Sequence, residues 1–311
     1  MLKTKQRHWY VERAAQGEGE AHIHAIDKTY FSGYTKFQSV DVMENPTYGK
    51  MLILDDDIQS TSLDEFIYHE SLVYPALVLH KNPKNAVILG GGEGATARDL
   101  LYCKTMGSVE MVDIDGEVVD LCEKYLPEWS DGAFKNEKVK LVVDDARKYM
   151  EETSQKYDVI ISDLTEPTSD GPSHKLFTKD FFEILQKRLN EGGVFVLQAS
   201  TGDVHNLRTH TVIRNTLKQV FKYTRSFISR VPAYDTIWTF VLCSDTRDPL
   251  TLSEEEIDKT ISNLITKPLR YYDSITHKHM FNLPKYFREA IDKQTEVLRD
   301  GVKFQHAPAA V

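Results

Sequence analysis

A chain of 311 residues with 41% hydrophobic and 27% charged side chains has ample apolar material for a core and the charge content of an ordinary soluble protein. Its formal net charge of -9 speaks against a nucleic-acid partner, because affinity for a phosphate backbone rests on clustered Lys and Arg. No apolar run approaches the ~20 residues that span a bilayer, and the opening Met1-Leu2-Lys3-Thr4-Lys5 lacks the apolar stretch of a signal peptide, so a cytoplasmic protein without membrane contact is expected.

From His8 to about Ile58 the pattern is β-like. Ala21 to Ile26, Phe37 to Met43 and Lys50 to Leu54 alternate or run apolar, and Asn45-Pro46 with Tyr48-Gly49 separates the last two as a hairpin would. Asp64 to His80 then places apolar residues at helical spacing, with Pro75 expected to bend or interrupt that helix. After Asn82-Pro83, strands at 86–89, 109–113, 139–143 and 158–162 alternate with helices at 95–102, 116–125 and 145–152. That order predicts parallel strands joined by crossover helices. A helix at about 178–190 ended by Gly192-Gly193, a strand at 194–197, a helix near 206–220 and strands at 224–230 and 237–243 follow. The capping box Ser253-x-x-Glu256 opens a further helix. The division expected is an N-terminal antiparallel β domain, residues 1–65, and an α/β domain with C-terminal helices, residues 66–311. Cys103, Cys122 and Cys243 form no Cys-x-x-Cys pair and read as buried thiols.

Four acidic residues fall where four successive strands should end: Glu93 in Gly90-Gly91-Gly92-Glu93-Gly94, then Asp113, Asp144 and Asp163. The carboxyl ends of such strands form the ligand crevice of an open α/β fold. The glycine loop lets backbone approach a nucleotide closely, and Asp113, about 20 residues on, stands where an acid grips ribose hydroxyls. That much fits NAD and S-adenosyl ligands alike. Glu93 separates them, since a carboxylate at the helix N-terminus would repel a pyrophosphate and welcome a nucleoside carrying sulfonium and ammonium groups. Asp144 and Asp145 add to the same field; one could accept an adenine amino group, or either could simply cap the next helix. In Asp163-Leu164-Thr165-Glu166-Pro167 two carboxylates stand over the crevice, with Thr168 to Pro172 expected as a flexible lid.

Other clusters read more plainly. His22 with His24, and His277 with His279, lack a third ligand, so no metal is expected. Tyr30, Phe31, Tyr34 and Phe37 read as core and sheet surface, and no Gly-x-Ser-x-Gly elbow gives hydrolase chemistry a foothold.

With these motifs in hand, the chain resembles the polyamine aminopropyltransferases, spermidine synthase and its relatives including thermospermine synthase. The likeness runs from about His8 to Asp245. It is carried by Tyr48-Gly49-Lys50-Met51-Leu52-Ile53-Leu54-Asp55, Gln59-Ser60-Thr61, Asp64-Glu65-Phe66-Ile67-Tyr68-His69-Glu70, the Gly90 to Gly94 loop, Asp113-Ile114-Asp115 and Asp163 to Pro167. The resemblance implies a Rossmann-like, mostly parallel sheet of the class I S-adenosylmethionine-dependent transferase type behind a small antiparallel β domain. It also implies decarboxylated S-adenosylmethionine as a co-substrate, with no resident cofactor. Carried over by position, Asp113 looks like the ribose acid, Asp144 like the adenine contact and Glu93 like the partner of the donor's ammonium, with Asp145 also on the donor side. Gln38, Gln59, His69 and Gly91 stand with the donor, while Tyr68, Asp163, Glu166 and Tyr234 match acceptor positions, Asp163 as base.

Glu93, Leu164 and Glu166 depart from the Gly-Gly-Gly-Asp-Gly and Asp-Ser-x-Asp-Pro of common spermidine synthases, and Asp235 stands in place of a usual proline, which could serve a longer polyamine. The acceptor therefore stays open between putrescine and spermidine, with agmatine and cadaverine also flexible cations of this kind. A methyltransferase shares the framework but gives Glu93 no task, and a polyamine-binding protein would consume no donor. The family likeness implies a homodimer or homotetramer built partly through the N-terminal sheet.

Overall fold

The computed structural model describes residues 8–12, 21–167 and 172–302; residues 168–171, where a lid is expected, lie outside it. Six short strands come first. β1 (His8–Glu12) and β2 (His22–Ile26) pair antiparallel, and β3 (Lys28–Tyr34), β4 (Ser39–Asn45), β5 (Gly49–Leu54) and β6 (Asp57–Thr61) form a second antiparallel sheet in that order. The β4–β5 hairpin closes at the predicted turn, where Asn45 Oδ1 accepts from the backbone of Thr47 (2.7 Å) and Tyr48 (2.9 Å), an Asx-type turn.

α1 (Glu65–His80) runs through Pro75 without a break, so the interruption expected from the proline does not occur. Magnitudes explain why. The lost bond and ring clash cost roughly 3 kcal/mol, while Leu72, Val73, Leu77 and Val78 are fully buried, each worth about 1.5–3 kcal/mol. Packing overrides local preference. At the other flank of α1, the Glu70 carboxylate accepts from the backbone amides of Arg270 (2.8 Å), Tyr271 (2.8 Å) and Tyr272 (2.9 Å), pinning the C-terminal segment to this helix.

The α/β alternation follows: β7 (Asn85–Gly90), α2 (Ala95–Leu101), β8 (Ser108–Asp113), α3 (Gly116–Tyr125), α4 (Pro127–Ser130), β9 (Val139–Val143), α5 (Ala146–Glu152) and β10 (Tyr157–Asp163). Then come α6 (Lys179–Lys187), β11 (Leu189–Thr201), α7 (Arg208–Lys218), β12 (Tyr223–Val231), β13 (Thr236–Ser244), α8 (Glu254–Leu264), α9 (Ser274–Phe281) and α10 (Lys285–Lys293). The sheet order is β12-β13-β11-β10-β7-β8-β9, parallel from β11 to β9 and antiparallel at β13 and β12. Gly192-Gly193 does not end a helix as expected. α6 stops at Lys187, and both glycines lie inside β11, where the register to β10 jumps between Tyr157↔Leu189 and Val159↔Val194 and Gly192 sits at φ +78°.

One apolar cluster on each face of this sheet forms the core, and all three cysteines are buried free thiols. The N-terminal sheet docks on it through Val40, Val42 and Leu52 against Ala95, Leu126 and Trp129. No helix among the described residues is long and apolar enough to cross a membrane. What matters for chemistry is adjacency: β10, β7, β8 and β9 are neighbours, so their carboxyl ends line one edge.

Candidate active site

The loop after β7 is shaped by its glycines. Gly90 and Gly91 adopt φ +85° and +77°, a region that favours glycine, and the Gly91 amide donates to the Asp163 carbonyl at 3.0 Å. A Cβ at Gly90 would collide with that carbonyl. The loop is thereby laid directly against the end of β10.

At that end both oxygens of the Asp163 carboxylate are held. Tyr68 on α1 donates its hydroxyl to Oδ1 at 2.7 Å, and Thr96 on α2 donates to Oδ2 at 2.6 Å. Burial, then the Asp163 charge, push the Tyr68 phenol well above its ordinary pKa, so it remains a donor. The Tyr68 ring packs edge-on to Tyr234 (centroids 6.2 Å apart), and Tyr234 lies edge-on to Trp238 (4.9 Å). Tyr234 also donates its hydroxyl to the Gln59 carbonyl, while the Gln59 side chain turns to the Asp57 carbonyl at 3.2 Å. An aromatic wall thus runs away from Asp163 along β6 and the β12–β13 turn.

Glu93 is buried one strand over. Its Oε1 accepts from Ser60 Oγ (3.1 Å) and lies 2.5 Å from His69 Nε2, a close charge contact off the ring's hydrogen-bond axis. Asp113 closes β8, where its Oδ1 accepts from the Asp115 amide at 2.9 Å; burial first, and then the Asp115 and Asp163 charges, push its carboxyl up to about 6. Gln38 reaches this corner by donating to Asp115 Oδ2 (2.9 Å), which also accepts from Thr35 (2.6 Å). The structure therefore gathers Tyr68, His69, Gly91, Glu93, Asp113 and Asp163, with Gln38, Gln59 and Tyr234 around them.

Other predicted site residues stand apart from that core. The Asp144 amide bonds the Asp113 carbonyl (3.1 Å), but its carboxylate pairs with Lys148 (3.0 Å) at the surface. Asp145 caps α5, accepting from the amides of Arg147 (2.8 Å) and Lys148 (3.1 Å), the simple capping role that its position allows. It borders a groove of about 680 Å³ lined by α5, His174, Lys175, Thr178 and residues 300–302. Asp235, at φ +50°, is exposed and paired with Arg230 at 3.0 Å. The Glu166 carbonyl accepts from Ser173 (3.0 Å), and its charge adds to burial and to Glu12 in pushing Asp57 up to about 7. Of the paired histidines, His24 contacts Glu12 (3.0 Å) and His277 contacts the Tyr272 hydroxyl (2.7 Å).

Sequence reasoning missed Thr96, Ser60, Glu65 and Arg98. Thr96 is the second residue of the helix that the glycine loop opens, so its place beside the loop was available as a signal. The other three owe their roles to packing between elements far apart in the chain.

An open, mostly parallel sheet whose glycine loop and acidic strand ends face one edge defines a protein of the class I S-adenosylmethionine-dependent transferase type. Residues 65–255 match the spermine/spermidine synthase domain and residues 8–62 the spermidine synthase tetramerisation domain. A polyamine aminopropyltransferase of Sulfurisphaera tokodaii is 46% identical over 290 residues, 93% of this chain and 95% of that protein. Polyamine aminopropyltransferase 2 of Hyperthermus butylicus is 42% identical over 292 residues, 94% of this chain and 95% of its own. A solved spermidine synthase in complex with the transition-state analogue AdoDATO superposes with a TM-score of 0.87 at 29% identity, covering 94% of this chain and 98% of the other. Spermidine synthase from Thermotoga maritima gives 0.85 at 28%, covering 94% and 97%. The chain belongs to the spermine/spermidine synthase family and is an enzyme, a polyamine aminopropyltransferase.

Proposed function

We propose that the protein transfers the aminopropyl group of decarboxylated S-adenosylmethionine to putrescine, giving spermidine and 5'-methylthioadenosine. The observation that carries this reading is the Asp163 carboxylate, gripped at both oxygens by Tyr68 and Thr96 one strand away from the buried Glu93. The amine nitrogen attacks the carbon beside the donor's sulfonium, the C–S bond breaks, and a neutral thioether leaves. No general acid is needed. What is needed is an unprotonated amine, and a primary amine has a pKa near 10.4 like that of lysine, so it must shed a proton, which Asp163 receives. A base of this kind contributes about 10² to 10⁴ in rate, and holding nucleophile and carbon in line supplies much of the rest.

On the donor side Glu93 pairs with the ammonium and Asp113 with the ribose hydroxyls, and Asp144, on giving up Lys148, takes the adenine amino group while Asp145 caps α5 beside it. Ordinary S-adenosylmethionine carries an extra carboxylate that Glu93 would repel, which argues against methyl transfer. The donor is a co-substrate, so the reaction calls on no resident cofactor. On the acceptor side Tyr68, Tyr234 and Glu166 line the approach. Asp235 is turned to Arg230 and adds no carboxylate there, which favours a short diamine over spermidine. The face of β1–β2 carrying Trp9, Val11 and Ile23, which are 57%, 53% and 63% exposed, supports a homotetramer assembled partly through the N-terminal sheet.

The test is incubation with decarboxylated S-adenosylmethionine and, separately, putrescine, agmatine, cadaverine and spermidine, read by mass spectrometry. Spermidine and 5'-methylthioadenosine are expected from putrescine. Turnover with spermidine alone would move the assignment to a thermospermine or spermine synthase. Methyl transfer from S-adenosylmethionine, or binding without donor consumption, would overturn it.

A further inference from the structure

Behind the glycine loop, three carboxylates, one guanidinium and one imidazole are packed together and buried. Arg98 on α2 places Nη1 and Nη2 at 3.2 and 3.0 Å from the two oxygens of Glu65, the first residue of α1. Its Nε donates to Asp99 (2.9 Å) and its Nη1 to the Trp129 carbonyl (2.9 Å). Glu65 Oε2 then lies 3.0 Å from His69 Nδ1, and the Glu65 carbonyl lies 2.7 Å from the same nitrogen. Two acceptors at one nitrogen require that it carry the proton, which turns Nε2 towards Glu93 at 2.5 Å. Nε2 makes no aligned hydrogen bond there, and the nearness of the Glu93 charge favours a cationic ring over a neutral one.

The groups facing His69 are Glu65 on its own helix, Glu93 from the loop after β7, Arg98 and Asp99 on α2, and the ring edge of Tyr68 at 5.1 Å; Asp163 acts on it through Glu93. Burial disfavours a charged imidazole, yet the Glu93 and Glu65 carboxylates outweigh it and hold His69 protonated well above its ordinary value. Burial likewise opposes Glu65 as an anion, and His69 with Arg98 reverse that, holding it at about 2. At Glu93 burial raises the carboxyl, and the His69 charge is the main influence working against that rise.

We infer that Glu65, backed by Arg98, is a positioning residue for the donor's ammonium: it locks the His69 ring so that Glu93 stays an ionised carboxylate fixed in the crevice wall. Three carboxylates against two cations leave one negative charge in a buried place, and a single ammonium neutralises it. This inference rests on the reading that Glu93 meets the donor's ammonium.

The test compares binding of decarboxylated S-adenosylmethionine and of 5'-methylthioadenosine, which lacks the ammonium, by calorimetry between pH 6 and 9. The proteins are the full chain and its Glu65→Gln, Glu65→Asp and Glu93→Gln variants. Glu65→Gln is expected to bind the donor about 10-fold more weakly near pH 6.5, the scale of one hydrogen bond to a charged group. Its affinity should recover as pH rises, because without the Glu65 charge the proton favours Glu93 over His69 and is lost only at higher pH, while the wild type stays flat. Affinity for 5'-methylthioadenosine should change less than about 2-fold, Glu65→Asp should restore part of the loss, and the kinetic defect should fall on the donor KM and not on kcat. A flat profile at wild-type affinity, or equal losses for both nucleosides, overturns the inference. Glu93→Gln separates the two readings. If it binds donor normally, the role of Glu93 falls; if it alone loses donor, only the role of Glu65 falls. Should Glu65→Gln not fold, Arg98→Lys, which keeps the charge but gives up the forked grip, is read in the same way with an expected loss of about 3-fold.

Discussion

Two fully buried histidines show how differently the two sides of this sheet are built. His69, under the crevice, has a carboxylate at each ring nitrogen. His210, on α7 behind β11 to β13, has a hydroxyl at each: Thr239 at 2.7 Å and Ser226 at 2.8 Å, with the Phe287 ring edge against it. Burial lowers the pKa of both. For His210 nothing opposes burial strongly, and Arg214 adds to it, so the ring falls to about 3 and is neutral. For His69 the carboxylates reverse the sign. The same residue at the same depth is thus part of a neutral core in one place and a buried cation in the other, and the choice is made by partners.

The largest test of that contrast is at the crevice itself. If the gathered carboxylates do chemistry rather than fill space, Asp163→Asn should keep donor affinity and lose about 10² to 10⁴ in kcat, the range of a general base. Tyr68 and Thr96 can both still bond the amide, so the fold should survive. Stopped-flow turnover together with calorimetry checks both halves. Undiminished kcat would end the assignment of Asp163 as base.

Next in size are the histidines, through the pH dependence of unfolding. His210 has a folded pKa below the ~6.5 of an unfolded histidine, so its neutral form stabilises the fold above pH 6.5. That stability is lost as pH falls from 6.5 towards 3, where the unfolded chain takes up a proton the folded one refuses. The loss relative to His210→Gln is on the order of 5 kcal/mol across the window. His69 has a raised folded pKa, so its contribution is full below about 6.5 and is lost as pH rises towards the folded value. Denaturant midpoints for His210→Gln and His69→Gln should therefore diverge from wild type in opposite pH directions. Divergence in the same direction would break the comparison.

Much of this architecture is legible before any coordinates. Short apolar runs alternating with helical stretches place β7 to β10 within a residue or so, because parallel strands buried on both faces carry their signal locally. Their acidic ends, read in order, arrive side by side. What resists reading is whatever depends on how elements are rotated against one another. Pro75 is overridden by burial on all sides of α1, and Gly192-Gly193 reads as a helix stop yet serves a bulge. Asp144 and Asp145 differ by one position, and only the turn into α5 decides which carboxylate caps the helix and which meets Lys148. Glu65 and Arg98 are 33 residues apart, on two helices, and no spacing rule brings them together.

Tyr68→Phe probes the contrast more gently. The ring stays against Tyr234 and Phe240, while the bond to Asp163 is removed. A hydrogen bond to a charged group is worth about 1.5–3 kcal/mol, so kcat should fall roughly 10- to 100-fold, with little change in the donor KM. A fall confined to the donor KM would place Tyr68 on the wrong side of the site.

The smallest effect is expected where a carboxylate only resembles its neighbours in the crevice. Asp235 stands in a left-handed turn beside Tyr234, but its side chain is solvent-facing and paired with an equally exposed Arg230. Exposed pairs of this kind contribute about 0–1 kcal/mol. Asp235→Ala should accordingly leave the acceptor KM within about 2-fold and thermal stability within a degree or two. A Cβ at φ +50° is already accommodated in the native turn, so alanine introduces no new strain class there, only the loss of an Asp's tolerance for that conformation. A rise of tenfold or more in the KM for spermidine, with putrescine unchanged, would show that Arg230 releases Asp235 to a longer acceptor, and that this surface pair belongs to the crevice after all.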